Sequence, residues 1–238
     1  DPPGTWESPG DFENYTTSMY VQCVNELIEH FGNRPTLLLG HSRGGATAMI
    51  ASANPAVSGL VVVNAAYGSP SKPDPSKIID GKLAENRDLP PGNVRTKEQR
   101  EFALPLAYFE DGKKHDPIRS LAAFTGPKLI VHATEDEGVS LERVKEIYET
   151  LENPKTHRQI DCKHDYRLSS DAISTVNDAL VSFAYNLGLG ALQKSTLLKR
   201  VNSNPCDPDI SYQFSRWVRA GGKKLKGLVR RRAEEAKL

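Results

Sequence analysis

The sequence predicts an α/β fold, a mostly parallel sheet flanked by helices on both faces. Short apolar runs and amphipathic helical patterns alternate along the chain, which is the order that a sheet covered by crossover helices requires. The strand-length runs lie at residues 36–39, 59–63, 128–132 and, more weakly, 157–160. With 238 residues, 38% of them hydrophobic, the chain is long enough to bury one sizeable core.

Helical periodicity predicts four helices around these strands. The first covers residues 13–31, where Gly32 stands just past the end as a left-handed cap. The second covers residues 46–53 and follows the first strand at once. Two more are expected at residues 141–151 and 172–187, after the third and fourth strands.

A long interval, residues 67–126, separates the second strand from the third. It is rich in Pro, Gly and Lys, and an insertion of that size is usually a lid or a binding element. We expect a helical cap there, and its best helical pattern covers residues 97–108. Residues 1–190 are therefore predicted to form a core that carries this cap, and residues 191–238 a basic, helical C-terminal extension.

Charge divides the chain at about the same place. The total is 31 basic against 30 acidic side chains, but residues 194–238 hold 12 Lys and Arg against 4 Asp and Glu. This basic tail has a formal charge of about +8, and the rest of the chain about −7. A basic amphipathic segment can bind nucleic acid or an anionic membrane. We favour a solvated helix packed against the acidic body, or a terminal extension without a function of its own.

Composition argues against several classes of protein. No apolar run approaches ~18 residues, so no transmembrane helix is predicted. Three cysteines, Cys23, Cys162 and Cys206, are too few for a disulfide framework and too scattered for a zinc site. We expect free thiols in the cytoplasm. The sequence contains no metal-, dinucleotide- or phosphate-binding motif, so neither a metal nor a cofactor is expected.

The motif Gly-His-Ser-Arg-Gly at residues 40–44 matches G-x-S-x-G. It follows an apolar strand and opens a helix, the setting in which a serine stands exposed on a strained turn. Glycines two residues before and after Ser42 remove Cβ atoms that would collide. Ser42 is therefore the candidate nucleophile, and the backbone N–H of Arg43 is the candidate oxyanion donor.

A serine nucleophile needs a base, and the base needs an acid that orients it. An acidic turn follows the third strand, and His164 follows the fourth. Both therefore lie at the carboxyl edge of the sheet, where ligands bind in open α/β folds. The chain order of serine, acid and histidine favours Ser42, Asp136 and His164. Glu135 and Asp161 stay open as alternative acids.

With these motifs the sequence resembles the α/β-hydrolase family over roughly residues 1–187, and compact serine esterases in particular. The resemblance implies Asp136 as the acid, because members often have D-x-x-V in this loop. It also implies that the interval between the second and third strands is the family's cap. We expect Tyr108 of that cap to line the acyl pocket and His41 of the elbow to shape it.

Members of this family have several strands ahead of the segment that opens this sequence, and a loop among them supplies a second oxyanion N–H. The sequence given builds about four parallel strands and one such donor, and a missing donor costs on the order of 10²–10³ in turnover. Three explanations stay open: a piece of a longer protein, completion by another chain, or a decayed hydrolase. Without those strands, an apolar sheet edge is exposed.

The predicted function is hydrolysis of an ester or other acyl bond of a small-molecule substrate, through an acyl-serine and without a cofactor. The alternative is a non-catalytic, hydrolase-like binding module that acts through its sheet edge and basic tail. Among enzymes, thioesterase, peptidase and acyltransferase activities stay open, because the triad sets the reaction type and the cap sets the substrate.

Overall fold

The computed structural model of the chain describes residues 2–5, 8–88, 99–187, 196, 200, 209–216, 219–220 and 223–224. The chain divides into two compact units, Asp1–Val181 and Ser182–Leu238. The first unit contains the main sheet and the site described below. In the described part of the chain, no helix is long and apolar enough to cross a membrane.

The described strands form three sheets. In chain order the strands are β1 (Thr36–His41), β2 (Val57–Val63), β3 (Ile78–Ile79), β4 (Lys82–Asp88), β5 (Gln99–Pro105), β6 (Lys128–Glu135), β7 (Lys155–Lys163), β8 (Arg219–Ala220) and β9 (Lys223–Lys224). The main sheet has the order β1-β2-β6-β7, and all neighbouring strands are parallel. The four apolar runs of the sequence are its four strands, which confirms the predicted parallel sheet.

Several of the described helices begin after a short polar side chain that caps them. In chain order they are α1 (Thr17–His30), α2 (Arg43–Ala51), α3 (Leu106–Gly112), α4 (Pro117–Ala123), α5 (Leu141–Thr150), α6 (Ser170–Leu187) and α7 (Ile210–Ser215). Thr16, Asp116 and Ser140 cap the first turns of α1, α4 and α5, each accepting a backbone N–H. These caps satisfy donors that the helices themselves leave open.

The core lies against the centre of the main sheet. Leu60, Val61, Val62 and Val63 of β2 are each at most 1% exposed, so side chains on both faces of this strand are buried. On one face α2, α4 and α5 contribute Met49, Leu121, Val144 and Ile147 to a single cluster of buried residues that includes Leu60, Val62 and Ile130. Helices α2, α4 and α5 therefore pack on this face of the sheet, and the site lies where its strands end.

The cap insertion differs from the predicted one. Residues 99–105 form the strand β5 instead of the first part of a helix, and β5 pairs antiparallel with β4 from Lys82↔Pro105 to Asp88↔Gln99. Helix α3 begins only after Pro105, whose fixed φ and missing N–H suit the residue before a helix. The predicted helix at residues 97–108 is therefore wrong for 99–105, because pairing with β4 overrides the helical pattern.

The second unit holds part of the basic tail. Its helix α7 spans Ile210–Ser215, and the two-residue strands β8 and β9 pair antiparallel, Arg219 with Lys224 and Ala220 with Lys223. The helical tail expected from the sequence is therefore replaced by a strand pair at these four residues. Most of the tail lies outside the described residues.

Candidate active site

Ser42 lies in a sharp turn between β1 and α2. Its φ of 52° and ψ of −121° place a non-glycine residue at positive φ, a strained backbone conformation. A Cβ atom on Gly40 would overlap the carbonyl group of Gly44, and one on Gly45 would lie 2.6 Å from the Cβ atom of Ala65. The turn therefore requires glycine at positions 40 and 45. A Cβ atom on Gly44 would have the Tyr20 hydroxyl as its neighbour at 4.0 Å, so the collision predicted there is not found.

The structure brings Ser42, His164 and Asp136 into one chain of hydrogen bonds. The Ser42 Oγ atom lies 2.8 Å from His164 Nε2, and His164 Nδ1 lies 2.8 Å from Asp136 Oδ2. With the ring proton on Nδ1 donated to the carboxylate, Nε2 is free to accept the serine hydroxyl. This is the geometry that a general base needs to take a proton from a serine.

Asp136 is held by its own loop. Its side chain is fully buried, and Oδ1 accepts the backbone N–H groups of Gly138 (2.8 Å) and Val139 (2.9 Å). Burial alone would raise the pKa of this carboxyl, but the donors from Val139, His164 and Gly138 outweigh it and hold the pKa below its ordinary value. The carboxylate is therefore ionised and its orientation is fixed.

The alternative acids point elsewhere. Glu135 is exposed at the end of β6, where its register partner in β7 is Lys163. Asp161 accepts the hydroxyl of Thr134 at 3.0 Å. Among the three candidate acids, Asp136 is the one hydrogen-bonded to His164.

Comparisons with known proteins agree with this fold. Residues 1–87 match the family model described as alpha/beta hydrolase fold. The chain is similar in structure to a monoacylglycerol lipase from Paleococcus ferrophilus, with a TM-score of 0.59 and 18% identity over 79% of this chain and 82% of that one. Est1E from Butyrivibrio proteoclasticus with bound ferulic acid gives a TM-score of 0.57 and 21% identity over 79% and 75% of the two chains.

The fold is that of the α/β hydrolases. In this fold, the Ser42 turn links β1 to α2, and Asp136 and His164 follow the last two strands of the main sheet along the chain, β6 and β7. The resemblance inferred from the sequence is confirmed at the level of the fold.

A second match covers the C-terminal part of the chain. Residues 145–235 match the family model described as phage lysozyme. The endolysin of Bacillus phage B103 is 46% identical over 74 residues, which are 31% of this chain and 28% of the endolysin. The chain thus spans less than a third of the length of that relative. The match starts inside α5 and runs through the basic tail, a relationship that sequence reasoning missed.

The other expected site residues take different positions. Arg43 is the first residue of α2, so its backbone N–H is among those that have no acceptor within the helix. Its guanidinium donates to the carbonyl of Gly68 at 3.1 Å. Tyr108 is buried and stacks on Tyr15, with ring centroids 5.3 Å apart, in an aromatic cluster between the cap and the segment before α1.

His41 contacts the His164 loop. Its Nε2 atom lies 3.0 Å from the carbonyl oxygen of His164, and the two rings are 5.2 Å apart. Sequence reasoning missed two partners of the same loop. Asn64 Nδ2 donates to that carbonyl at 2.7 Å, and Glu137 Oε2 accepts the backbone N–H of His164 at 3.0 Å. The positive φ of Asn64, directly after an apolar strand, is invisible in the sequence.

Two buried polar side chains, His132 and Tyr67, interact with Asp136. His132 Nε2 lies 2.8 Å from the carbonyl of Val139 and 4.0 Å from Asp136 Oδ2. Tyr67 is also buried, and burial together with the charge of Asp136 raises the pKa of its hydroxyl, which therefore stays protonated. Within the described residues, no group of three or more His, Cys, Asp and Glu side chains is placed to hold a metal ion.

A second cluster of serine, histidine and aspartate lies between the cap and α1. Ser18 Oγ is 2.7 Å from Asp111 Oδ1 and 2.8 Å from His115 Nε2. Here the carboxylate of Asp111 accepts both the hydroxyl and the backbone N–H of Ser18. The same nitrogen of His115 that faces Ser18, Nε2, also lies 3.6 Å from Asp111. The acid therefore binds the serine directly and does not orient the far nitrogen of the ring, so the arrangement suits an anchor for the cap and not a nucleophile.

Proposed function

We propose that this hydrolase-fold unit is a serine hydrolase that cleaves an ester or another acyl bond of a small molecule. The observation that carries the proposal is the continuous hydrogen-bond chain from Ser42 through His164 to the buried, ionised Asp136. The strained turn at Ser42 supports it, because such a turn presents the hydroxyl to a substrate.

The proposed reaction has two halves. Ser42 Oγ attacks the carbonyl carbon while His164 Nε2 takes the hydroxyl proton, and the backbone N–H of Arg43 donates to the oxyanion. The imidazolium, stabilised by Asp136, then protonates the leaving group as the acyl-serine forms. In the second half water attacks the acyl-serine, with His164 again as base, and releases the acid. No cofactor takes part.

Carboxylic esters are the favoured substrates. The support is the similarity in fold to a lipase and to an esterase with bound ferulic acid. Thioester cleavage, peptide cleavage and acyl transfer would use the same residues, and the cap and pocket would decide among them.

A fluorophosphonate probe followed by intact-mass measurement tests the proposal. We expect one adduct on the wild-type chain and none on Ser42→Ala. Ser18→Ala is the matched control, since Ser18 also lies within 2.8 Å of a histidine, and it should label like the wild type. An adduct that persists in Ser42→Ala, or a folded wild-type chain that takes up none, would overturn the proposed mechanism.

The phage-lysozyme match favours a second candidate function, binding to a bacterial cell-wall glycan. In this proposal the C-terminal part is a non-catalytic binding module, and its basic residues hold an anionic wall polymer in a salt-dependent manner. Co-sedimentation of the full chain with purified cell walls tests it. Lys223→Glu with Lys224→Glu should lower the bound fraction, and Lys72→Glu with Lys77→Glu, two exposed lysines of the other unit, should not. Equal binding by both variants would contradict it.

The cytoplasm is the proposed compartment. Of the residues that the structure describes, Cys23 and Cys162 are free thiols, which suits a reducing environment. Cell fractionation tests this assignment, and recovery of the chain from the cell-wall fraction would favour the second candidate function instead.

A further inference from the structure

The backbone carbonyl of His164 is held by two side chains from neighbouring strand ends. Asn64 Nδ2, just after β2, donates to it at 2.7 Å, and His41 Nε2, the last residue of β1, lies 3.0 Å away. A carbonyl oxygen has two lone pairs, so both donors bind at once. The loop that carries the imidazole is thereby tied to two strands of the main sheet other than its own.

Asn64 has a single orientation that satisfies both ends of its amide. It is fully buried with φ of 43°, and its Oδ1 accepts the backbone N–H of Ala133 in β6 at 2.8 Å. A flipped amide would set a donor against that N–H and an acceptor against the His164 carbonyl. Its Nδ2 therefore faces His164, and the side chain links the ends of β2 and β6 to the histidine loop.

His41 donates as a neutral ring. Because a carbonyl only accepts, the proton of a neutral His41 must be on Nε2. Burial is the main reason why the pKa of His41 lies below its ordinary value. A neutral ring 5.2 Å from the ring of His164 adds no like charge when that imidazole becomes an imidazolium. On its other side His41 packs edge-on against Tyr166.

We propose that Asn64 and His41 are positioning residues for His164, which act by fixing its backbone carbonyl and so the direction of its imidazole between Ser42 and Asp136. The inference rests on the proposed serine hydrolase function and deepens it. A displacement of about 1 Å in a catalytic group can cost on the order of 10²-fold in rate. The two donors therefore affect turnover more than substrate binding.

Paired variants at His41 separate the hydrogen bond from packing. His41→Phe keeps a flat ring but removes the donor, whereas His41→Gln supplies an amide donor at a similar reach. We expect kcat for a chromogenic acetate ester to fall roughly 3- to 10-fold in His41→Phe, the worth of one hydrogen bond. KM should stay within about twofold, and His41→Gln should recover most of kcat. Equal kcat in the two variants would overturn the role of His41.

Asn64→Asp tests the other donor. The carboxylate keeps the acceptor for Ala133 N–H but sets a negative oxygen against the carbonyl of His164, so kcat should fall at least tenfold. Asn54→Asp is the matched control, because Asn54 also accepts a backbone N–H, from Ala56, and donates to a side chain, Asn25. It should keep wild-type kcat. Circular dichroism checks folding, and an Asn64→Asp chain that is folded and fully active would contradict the proposal.

A readout independent of turnover keeps this inference separate from the proposed function. Long-range ¹H–¹⁵N spectra report which nitrogen of each of the 6 histidines carries the proton, and a His164→Gln chain assigns the signal of His164. We expect the Nδ1–H form in the wild type and in His41→Gln, and a mixture of tautomers in His41→Phe. If the tautomers follow this expectation but the wild-type chain does not hydrolyse esters, the positioning role stands and the proposed hydrolase function is refuted. An unchanged tautomer in His41→Phe would overturn the positioning role.

Discussion

The two oxygens of the buried Asp136 carboxylate have different partners in the proposed site. One oxygen fixes the loop, and the other orients His164. Oδ1 is occupied by the N–H groups of Gly138 and Val139, so Oδ2 is the atom that faces His164. The charge that this arrangement preserves would stabilise the imidazolium during acyl transfer. Neither the loop nor the histidine has to move for the proton transfer to occur.

Asp136→Asn tests whether Asp136 orients His164 and stabilises its imidazolium form. The amide would have the same shape but would favour the wrong tautomer of His164, so kcat for ester hydrolysis should fall on the order of 10⁴-fold. Glu135→Gln is the control, and because Glu135 is exposed, its kcat should stay within about twofold of the wild type. Similar losses in the two variants, measured with the same ester, would mean that Asp136 is not the acid of the triad.

At the residue scale, the sequence predicted what a local motif can encode. Ser42 is marked by its glycines and its place between a strand and a helix, and His164 by its place after a later strand. Asn64 and Glu137 could not be found in this way, because their partner is a backbone atom more than 25 positions away in the chain. His41 was noticed through the motif, but its contact depends on where β7 ends relative to β1.

At the scale of elements, the carboxylate of Asp111 joins α3 of the cap to the start of α1. It accepts the backbone N–H and the hydroxyl of Ser18 at 2.7 Å each. Ser18 lies in the first turn of α1, and a negative charge is favourable at the N-terminus of a helix. Burial opposes its ionisation, but the donors from Ser18 and Lys114 outweigh burial and hold the pKa of Asp111 below its ordinary value. The cap is thus fastened by hydrogen bonds from Ser18 to a buried carboxylate as well as by the stacked rings of Tyr15 and Tyr108.

Asp111→Asn should weaken this contact in a pH-dependent way. At pH 7 the free energy of unfolding should fall by about 1–3 kcal/mol, since the amide replaces a charged acceptor. A carboxyl whose native pKa is lowered stabilises the fold above its unfolded pKa of about 3.9, and that contribution is lost as the pH falls through the native pKa. In urea unfolding, the difference from the wild type should therefore shrink below about pH 4.

Asp80→Asn is the control for this series. Asp80 lies exposed in a turn at φ of 49°, a conformation that asparagine also tolerates. The free energy of unfolding of the Asp80→Asn chain should equal that of the wild type at every pH. A deficit in Asp111→Asn that is constant from pH 7 to pH 3 would show that packing, and not ionisation, stabilises the contact.

The cap also shows where local patterns fail. Residues 99–105 were predicted to be helical because their apolar positions fit helical spacing, yet they form β5. Their partner strand β4 ends more than ten residues earlier in the chain, so no short window of sequence contains the pairing. The main sheet was predictable because its central strands, β2 and β6, are apolar runs that are mostly buried, whereas β5 depends on a neighbour.

At the scale of the whole molecule, the chain combines two family matches that do not overlap in sequence, residues 1–87 and residues 145–235. The hydrolase-fold match ends at residue 87, but the parallel sheet continues through β7, inside the stretch that matches phage lysozyme. His164 thus lies within the lysozyme-matching stretch while it hydrogen-bonds Ser42 of the hydrolase-fold match. The split between an acidic body and a basic tail was visible in the sequence, but its relation to endolysins was not, since charge alone does not specify ancestry.

The outer edge of the main sheet is partly apolar and exposed. β1 has one neighbour, β2, among the described strands, and its Leu39 is 44% exposed. Nearby in sequence, Leu27 and Phe31 of the α1 end are 57% and 67% exposed. An apolar edge strand is a template for pairing with another chain, so we expect concentration-dependent self-association through β1.

Leu39→Lys tests this expectation. A charge on an edge strand opposes pairing, and loss of the leucine surface that pairing would bury should weaken self-association about tenfold or more. Light scattering after size-exclusion chromatography, over a range of concentrations, measures the shift toward monomer. Ile79→Lys is the matched control, because Ile79 is 67% exposed but lies in the cap strand β3. If the two variants associate alike, the β1 edge is not the contact, since a general gain in solubility would affect both equally.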